Sequence, residues 1–233
     1  MAKSEARRIT KRSVLAVEGK DEVNFFEVLL DHIHIGVAEV QILDVGGKDQ
    51  FPKKFPALLK VPGFFEPDNS PRVRNLAIVR DKDGDDAFKS VANIVKTAGL
   101  TPPDCDGGFS EGRLRVGIFI MPGQIDGTML EDLCLKTVER HKAMPCVDQF
   151  ASCVGALSSG PKNMSKAKAQ AFLAAQPEAV GAVGLGAQKG YWNFASPALA
   201  ELKTFLNNLR GEKKGNGHQA TVRPWAGRGG RDA

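Results

Sequence analysis

Twice in this chain a short apolar run ends abruptly in acid and is followed by a helical pattern. "SVLAVEGKDEVNFF" (residues 13–26) passes from Ser13–Val17 into Glu18, Gly19, Lys20 and Asp21. "NLAIVRDKDGDDAFKS" (75–90) passes from an apolar run at 76–79 into Asp81, Asp83, Asp85 and Asp86. Such runs, bounded by charge, read as buried strands. Residues 21–33 then place Val23, Phe25, Phe26, Leu29, Leu30 and Ile33 on a broad apolar helix face, with Asp21 as its N-cap. A second amphipathic helix is expected over about 85–98, closed by Gly99.

The remainder keeps the alternation. "EVQILDVGGKD" and "RLRVGIFIMPG" supply two more strands. "DQFPKKFPALLK" reads as a helix interrupted by prolines. "DGTMLEDLCLKTV", "PCVDQFASCVGAL" and "SKAKAQAFLAAQ" read as three further helices. The Gly/Ala-rich "PEAVGAVGLGAQKG" shows no clear element. "SPALAELKTFLNNL" is a last helix, capped by Ser196 with Pro197 at its first position. Strands alternating with helices imply an α/β fold with a mostly parallel sheet flanked by helices and a helical C-terminal part. Ligands of such sheets sit beyond the carboxyl ends of the strands, where the acids of this chain collect.

Charge is unevenly spread. The net +5 of the 233 residues divides into +4 over residues 1–13 and +3 over 211–233, leaving the body at −2. The expected organisation is a basic N-terminal tail at 1–12, one domain over 13–210 with a helical insert at about 128–176, and a disordered basic tail at 211–233. Basic tails can add salt-sensitive phosphate contacts or stay solvated. No apolar run approaches the roughly 18 residues of a membrane span, and the basic N-terminus has no apolar core behind it, so a cytoplasmic location without membrane contact is expected. The four cysteines form no C-x-x-C pair and the four histidines give no zinc spacing. Cys134, Cys146 and Cys153 have apolar neighbours and are expected to be buried thiols.

In "RDKDGDD", Asp81 and Asp83 lie two apart in a chain leaving a strand, so an extended backbone puts both on one side, where they can share a cation. Carboxylates suit magnesium, which keeps several waters and binds one or two acids plus substrate phosphate. A lone D-x-D is more often a solvated turn. Glu18, the D-x-D and Glu131-Asp132 at successive strand exits together favour a shared cation site. "GGKD" is not G-x-G-x-x-G, and no G-x-x-x-x-G-K-[ST] loop is present.

"VEGKDE" and "VRDKDGDD" resemble the Toprim domain, whose hallmarks are Glu-Gly after the first strand and Asp-x-Asp after a later one. Over about residues 13–209, the string from "VEGKDEVNFF" through "ILDVGGKD", "VGIFIMPG" and "GTMLEDLCL" to "KGYWNF" is similar to a bacterial group of stand-alone Toprim-like proteins, related to the Toprim domains of OLD (overcoming-lysogenization-defect) nucleases. The resemblance implies a Rossmann-like Toprim fold. It further implies that Asp81 and Asp83 hold Mg²⁺ (or Mn²⁺), with Glu18 as a further ligand or a proton-transfer group. Glu131, or its neighbour Asp132, would support a second metal. Lys189 in "QKGYW" would neutralise charge on the reacting phosphate; a solvated lysine is the plainer reading.

The implied activity is Mg-dependent phosphodiester chemistry on nucleic acid or a nucleotide phosphate, as in a nuclease. The alternative is a non-catalytic nucleotide- or nucleic-acid-binding, regulatory protein. Other branches fit poorly. A topoisomerase needs a tyrosine nucleophile on a further domain, whereas the single Tyr191 sits beside Trp192 in an apparent packing segment. A primase would bring a zinc module. A phosphoacceptor receiver domain would want an acidic pair after the first strand.

Overall fold

In the computed structural model, residues 8–36, 38–82 and 86–210 are described. Asp83 and Asp85, residues 1–7 and the tail from 211 lie outside them, and with them the expectations of a D-x-D pair and of disorder in the C-terminal tail.

Four strands form one all-parallel sheet: β1 (Ser13–Val17), β2 (Val40–Asp44), β3 (Asn75–Asp81) and β4 (Arg115–Met121), in the order β2-β1-β3-β4. α1 (Lys20–His32) links β1 to β2, α2 (Phe51–Leu59) links β2 to β3, and α3 (Ala87–Thr97) links β3 to β4. After β4 come α4 (Leu130–Thr137), α5 (Met144–Gly155), α6 (Met164–Ala174), α7 (Val183–Gln188), a short 3₁₀ turn (Pro197–Leu199) and α8 (Ala200–Asn208). The expected α/β architecture is therefore present and Rossmann-like.

Strand alternation sorts the core into two layers. Leu15, Val17, Ala77, Val79 and Phe119 face α1 and α4–α8, whereas Val14, Ala16, Leu76, Ile78 and Ile118 face α2 and α3. Both faces are covered, which is why the strands are apolar throughout rather than alternating. Along the free edge of β4, a loop supplies partners: the Gly107 amide donates to the Ile118 carbonyl and the Ser110 amide to that of Val116, each at 2.8 Å. Packing begins before β1. Ile9 is buried against the α2 side, and its amide donates to the Pro62 carbonyl.

Several local expectations change. Pro56 lies within a single continuous α2 rather than interrupting it, and Pro52 occupies the first turn, where its missing N–H costs nothing. The Gly/Ala-rich stretch contains α7, whose small residues let it lie close to α1. A Cβ on Gly184 would come within 2.3 Å of the Asp21 carbonyl. Cys134 is buried, but Cys146 and Cys153 are exposed, because α5 buries only Met144 and Val147. Ser196 accepts from the Ala198 amide and so caps a 3₁₀ turn with Pro197 at its first position, whereas α8 itself begins only at Ala200 with Leu199 as its N-cap.

Candidate metal centre

The strand order reverses at β1 and β3: the chain leaves β1 toward β2 and leaves β3 in the other direction, toward β4. This is the topological switch point, where the carboxyl ends of parallel strands open a crevice. Glu18 follows β1 directly, and Asp81 is the last residue of β3.

Register decides which groups meet. Ala16 pairs with Ile78, so two residues on Glu18 stands beside Arg80, on the same face. Arg80 Nε donates to Glu18 Oε1 at 2.9 Å, and the Asp81 amide donates to that same oxygen at 3.2 Å. The Arg80 guanidinium also lies 4.7 Å from the centre of the Phe51 ring, a cation–π contact at the start of α2. Arg80 is 4% exposed, a buried cation directly after the apolar run of β3. Its polarity within "LAIVRD" is the sequence signal that could have marked it.

Asp81 belongs to the other layer. Its Oδ1 accepts from the Leu130 amide at 3.0 Å, at the start of α4. Burial, and then the charges of Glu18, Glu131 and Glu22, push its carboxyl up to about 8. Glu22, in the first turn of α1, is raised chiefly by burial and further by Glu18, Asp21 and Glu131. Burial likewise raises Glu131, opposed in part by Lys166, whose ammonium lies 3.9 Å away. Acids from β1, α1, β3 and α4 thus share one region. Glu22, which the motif reading did not single out, is among them.

Two neighbouring acids are committed elsewhere. Asp132 Oδ2 accepts from the Thr128 and Met129 amides, and Oδ1 from Ser165, so it caps α4 and ties it to α6. Asp21 does not cap its own helix. The N-cap of α1 is Gly19, and the Asp21 carboxylate instead accepts from the Val183 amide at 3.0 Å and the Gly184 amide at 2.6 Å. Gly19 has an extended backbone (φ −157°) that any residue adopts. A Cβ there would lie 3.1 Å from Glu22 Oε2, so a side chain at this position would push on the Glu22 carboxylate. Lys189 ends α7 and pairs with Glu178 at 2.7 Å on the surface.

In donor chemistry the acids fit a hard divalent cation. Buried carboxylates that raise one another's affinity for a proton are relieved equally by a metal ion. Among the described residues, however, no three carboxylate, imidazole or thiol groups are placed to hold an ion together. Glu18 is turned to Arg80, and Asp83 lies outside the described residues. No helix among the described residues is long and apolar enough to cross a membrane.

Residues 12–211 match the family described as "Protein of unknown function (DUF3226)". A search of curated proteins finds no match. Two solved structures of the C-terminal region of the Xanthomonas campestris pv. campestris OLD protein are similar to this chain. The one phased with mercury is 15% identical, with a TM-score of 0.46, over 87% of this chain and 96% of that one. The one phased with platinum is 16% identical, with a TM-score of 0.40, over 86% and 92%.

Proposed function

This chain belongs to the DUF3226 family, and from that premise we propose that it is a Toprim-like protein carrying out metal-dependent phosphodiester chemistry on nucleic acid at the β1/β3 switch point. The observation that carries this reading is the electrostatic coupling at Asp81. Its buried carboxyl, at the exit of β3, sits within the fields of Glu18, Glu131 and Glu22 from three other elements. The Toprim resemblance of "VEGKDE" and "VRDKDGDD" supports the same assignment. Asp81 and Asp83, with Glu18 or Glu131, would hold Mg²⁺ or Mn²⁺, which would supply charge neutralisation to a bound phosphodiester.

The chain's own groups set the stage. The Leu130 amide fixes Asp81 Oδ1, and the α4 N-terminus behind that amide favours the ionised carboxylate. Arg80 and the Asp81 amide both hold Glu18 Oε1, orienting its carboxylate at the mouth of the crevice. From there Glu18 can accept a proton from an attacking water.

Purified protein incubated with single-stranded and duplex DNA and RNA, in Mg²⁺ or Mn²⁺, should cleave at least one of them, and Asp81→Asn should abolish the cleavage. No cleavage above the Asp81→Asn level on any substrate overturns the catalytic reading. One observation favours a second reading, a non-catalytic nucleotide- or nucleic-acid-binding module: Glu18 is already engaged by the buried Arg80. Metal-dependent binding without turnover would select it.

A further inference from the structure

Beside Arg80, on the α2 and α3 side of the sheet, lies a cavity of about 260 Å³ between the starts of those two helices. Its walls are Phe51, Pro52, Val91 and Ile94, with Ser90 and the acid Asp86 on the α3 side, and Arg80 and Asp81 form the boundary with the acidic crevice. Lys48, in the loop between β2 and α2, also lines it. The position follows from strand alternation. Arg80 and Asp81 are consecutive and so point to opposite faces, one toward α2 and α3, the other toward α1 and α4.

The chemistry of the cavity differs from that of the crevice. It is mainly apolar, bounded on one side by a planar guanidinium that already lies on an aromatic ring, with a hydroxyl, an ammonium and the Asp86 carboxylate, itself paired with Lys89 at 2.9 Å, at its edges. Flat apolar and guanidinium surfaces are what unpaired nucleobases stack against. The size is just below the usual range of small-molecule sites, which starts at about 300 Å³, enough for one ring system and too small for a base pair inside a duplex. A base in this cavity would leave its phosphate beside Lys48 and Arg80, at the border of the acidic crevice.

We propose that this cavity is a subsite for one unpaired nucleobase, so that the protein engages single-stranded nucleic acid or a mononucleotide rather than continuous duplex. The proposal rests on the phosphodiester reading of the adjoining acids and adds to it the class of substrate. Ser90 is exposed on α3, so a larger side chain there fills the cavity without entering the core.

The test is calorimetric titration of the full chain with a nucleoside monophosphate, a short single-stranded oligonucleotide and the matching duplex, for wild type and Ser90→Trp. Ser90→Leu serves as a second filling variant, and thermal melts confirm that both fold. Expected is binding of the single strand at least tenfold tighter than of the duplex, weakened at least tenfold by either filling variant. Binding of the monophosphate as well as the strand points to a single-nucleotide ligand; binding of the strand alone points to a polymer, and either supports the subsite. Equal binding of single strand and duplex, no nucleotide binding, or binding indifferent to both variants overturns it. Magnesium titration of the wild type, read separately, reports on the acids alone, so failure of that site and failure of this one are distinguishable.

Discussion

Arg80 Nε and Glu18 Oε1 meet at 2.9 Å across the β1/β3 switch point, with side chains only 5% and 16% exposed. The pair joins two strand exits, and the same guanidinium lies over Phe51, joining the sheet to α2. A buried ion pair of this kind is weak evidence of net stability, but breaking one half leaves a charge without its partner. Arg80→Met should therefore lower unfolding stability by about 3 kcal/mol. Adding Glu18→Gln should restore part of the loss, giving a measurable coupling in a double-mutant cycle by urea denaturation. Additive losses would mean that the pair carries no coupling.

The Asp81 carboxyl makes the stability of the metal-free protein depend on pH with a defined sign. Its folded pKa of about 8 lies above the ordinary value of 3.8, so over that window the folded state binds more protons than the unfolded one. Stability attributable to this group is then fully present below about pH 4 and lost as pH rises toward 8. The effect is at most on the order of a few kcal/mol. Asp81→Asn should flatten that decline, which thermal melts in EDTA across pH 4–9 would reveal. A decline unaltered by the substitution would place its origin elsewhere.

Magnesium should reverse the same penalty. At pH 8, added Mg²⁺ should raise the melting temperature of the wild type and have a smaller effect on Asp81→Asn, since an ion bound to the folded state alone stabilises it by mass action. Equal shifts in both proteins would argue against Asp81 as a ligand.

Asp21 holds the start of α7 through two amides of the distant segment 183–184. Asp21→Ala should cost about 1–2 kcal/mol, as expected for buried amides left without an acceptor. Hydrogen exchange at Val183 and Gly184 should accelerate well beyond that of amides in β1. Unchanged protection at these two positions would show that α7 is held by packing alone.

The cysteines divide by access. A thiol reagent should label Cys105, Cys146 and Cys153 in the native protein, while Cys134 should react only on unfolding. Burial pushes the Cys134 thiol well above its ordinary value, and the charges of Glu131, Asp21 and Asp81 add to that. Mass spectrometry of protein labelled before and after denaturation distinguishes them.

The amino-acid sequence by itself determined the alternation of strands and helices, because local apolar period and charge boundaries are properties of neighbouring residues. β1 runs over Ser13–Val17 as the apolar run does, with Glu18 directly after it, whereas β3 continues past its apolar run through Arg80 to Asp81. α7 was hidden because a Gly/Ala-rich segment has little periodicity of its own and becomes helical against α1, where only small residues fit. Partner choice also lay beyond local pattern. Register set Arg80 beside Glu18 and turned Asp81 to the opposite layer, while helix packing committed Asp21 to the start of α7 and Asp132 to the start of α4. Each of these pairings, Asp132 with its own helix start excepted, joins residues far apart in the chain. Only closure of the sheet and stacking of the helices on it bring such charges within hydrogen-bonding distance.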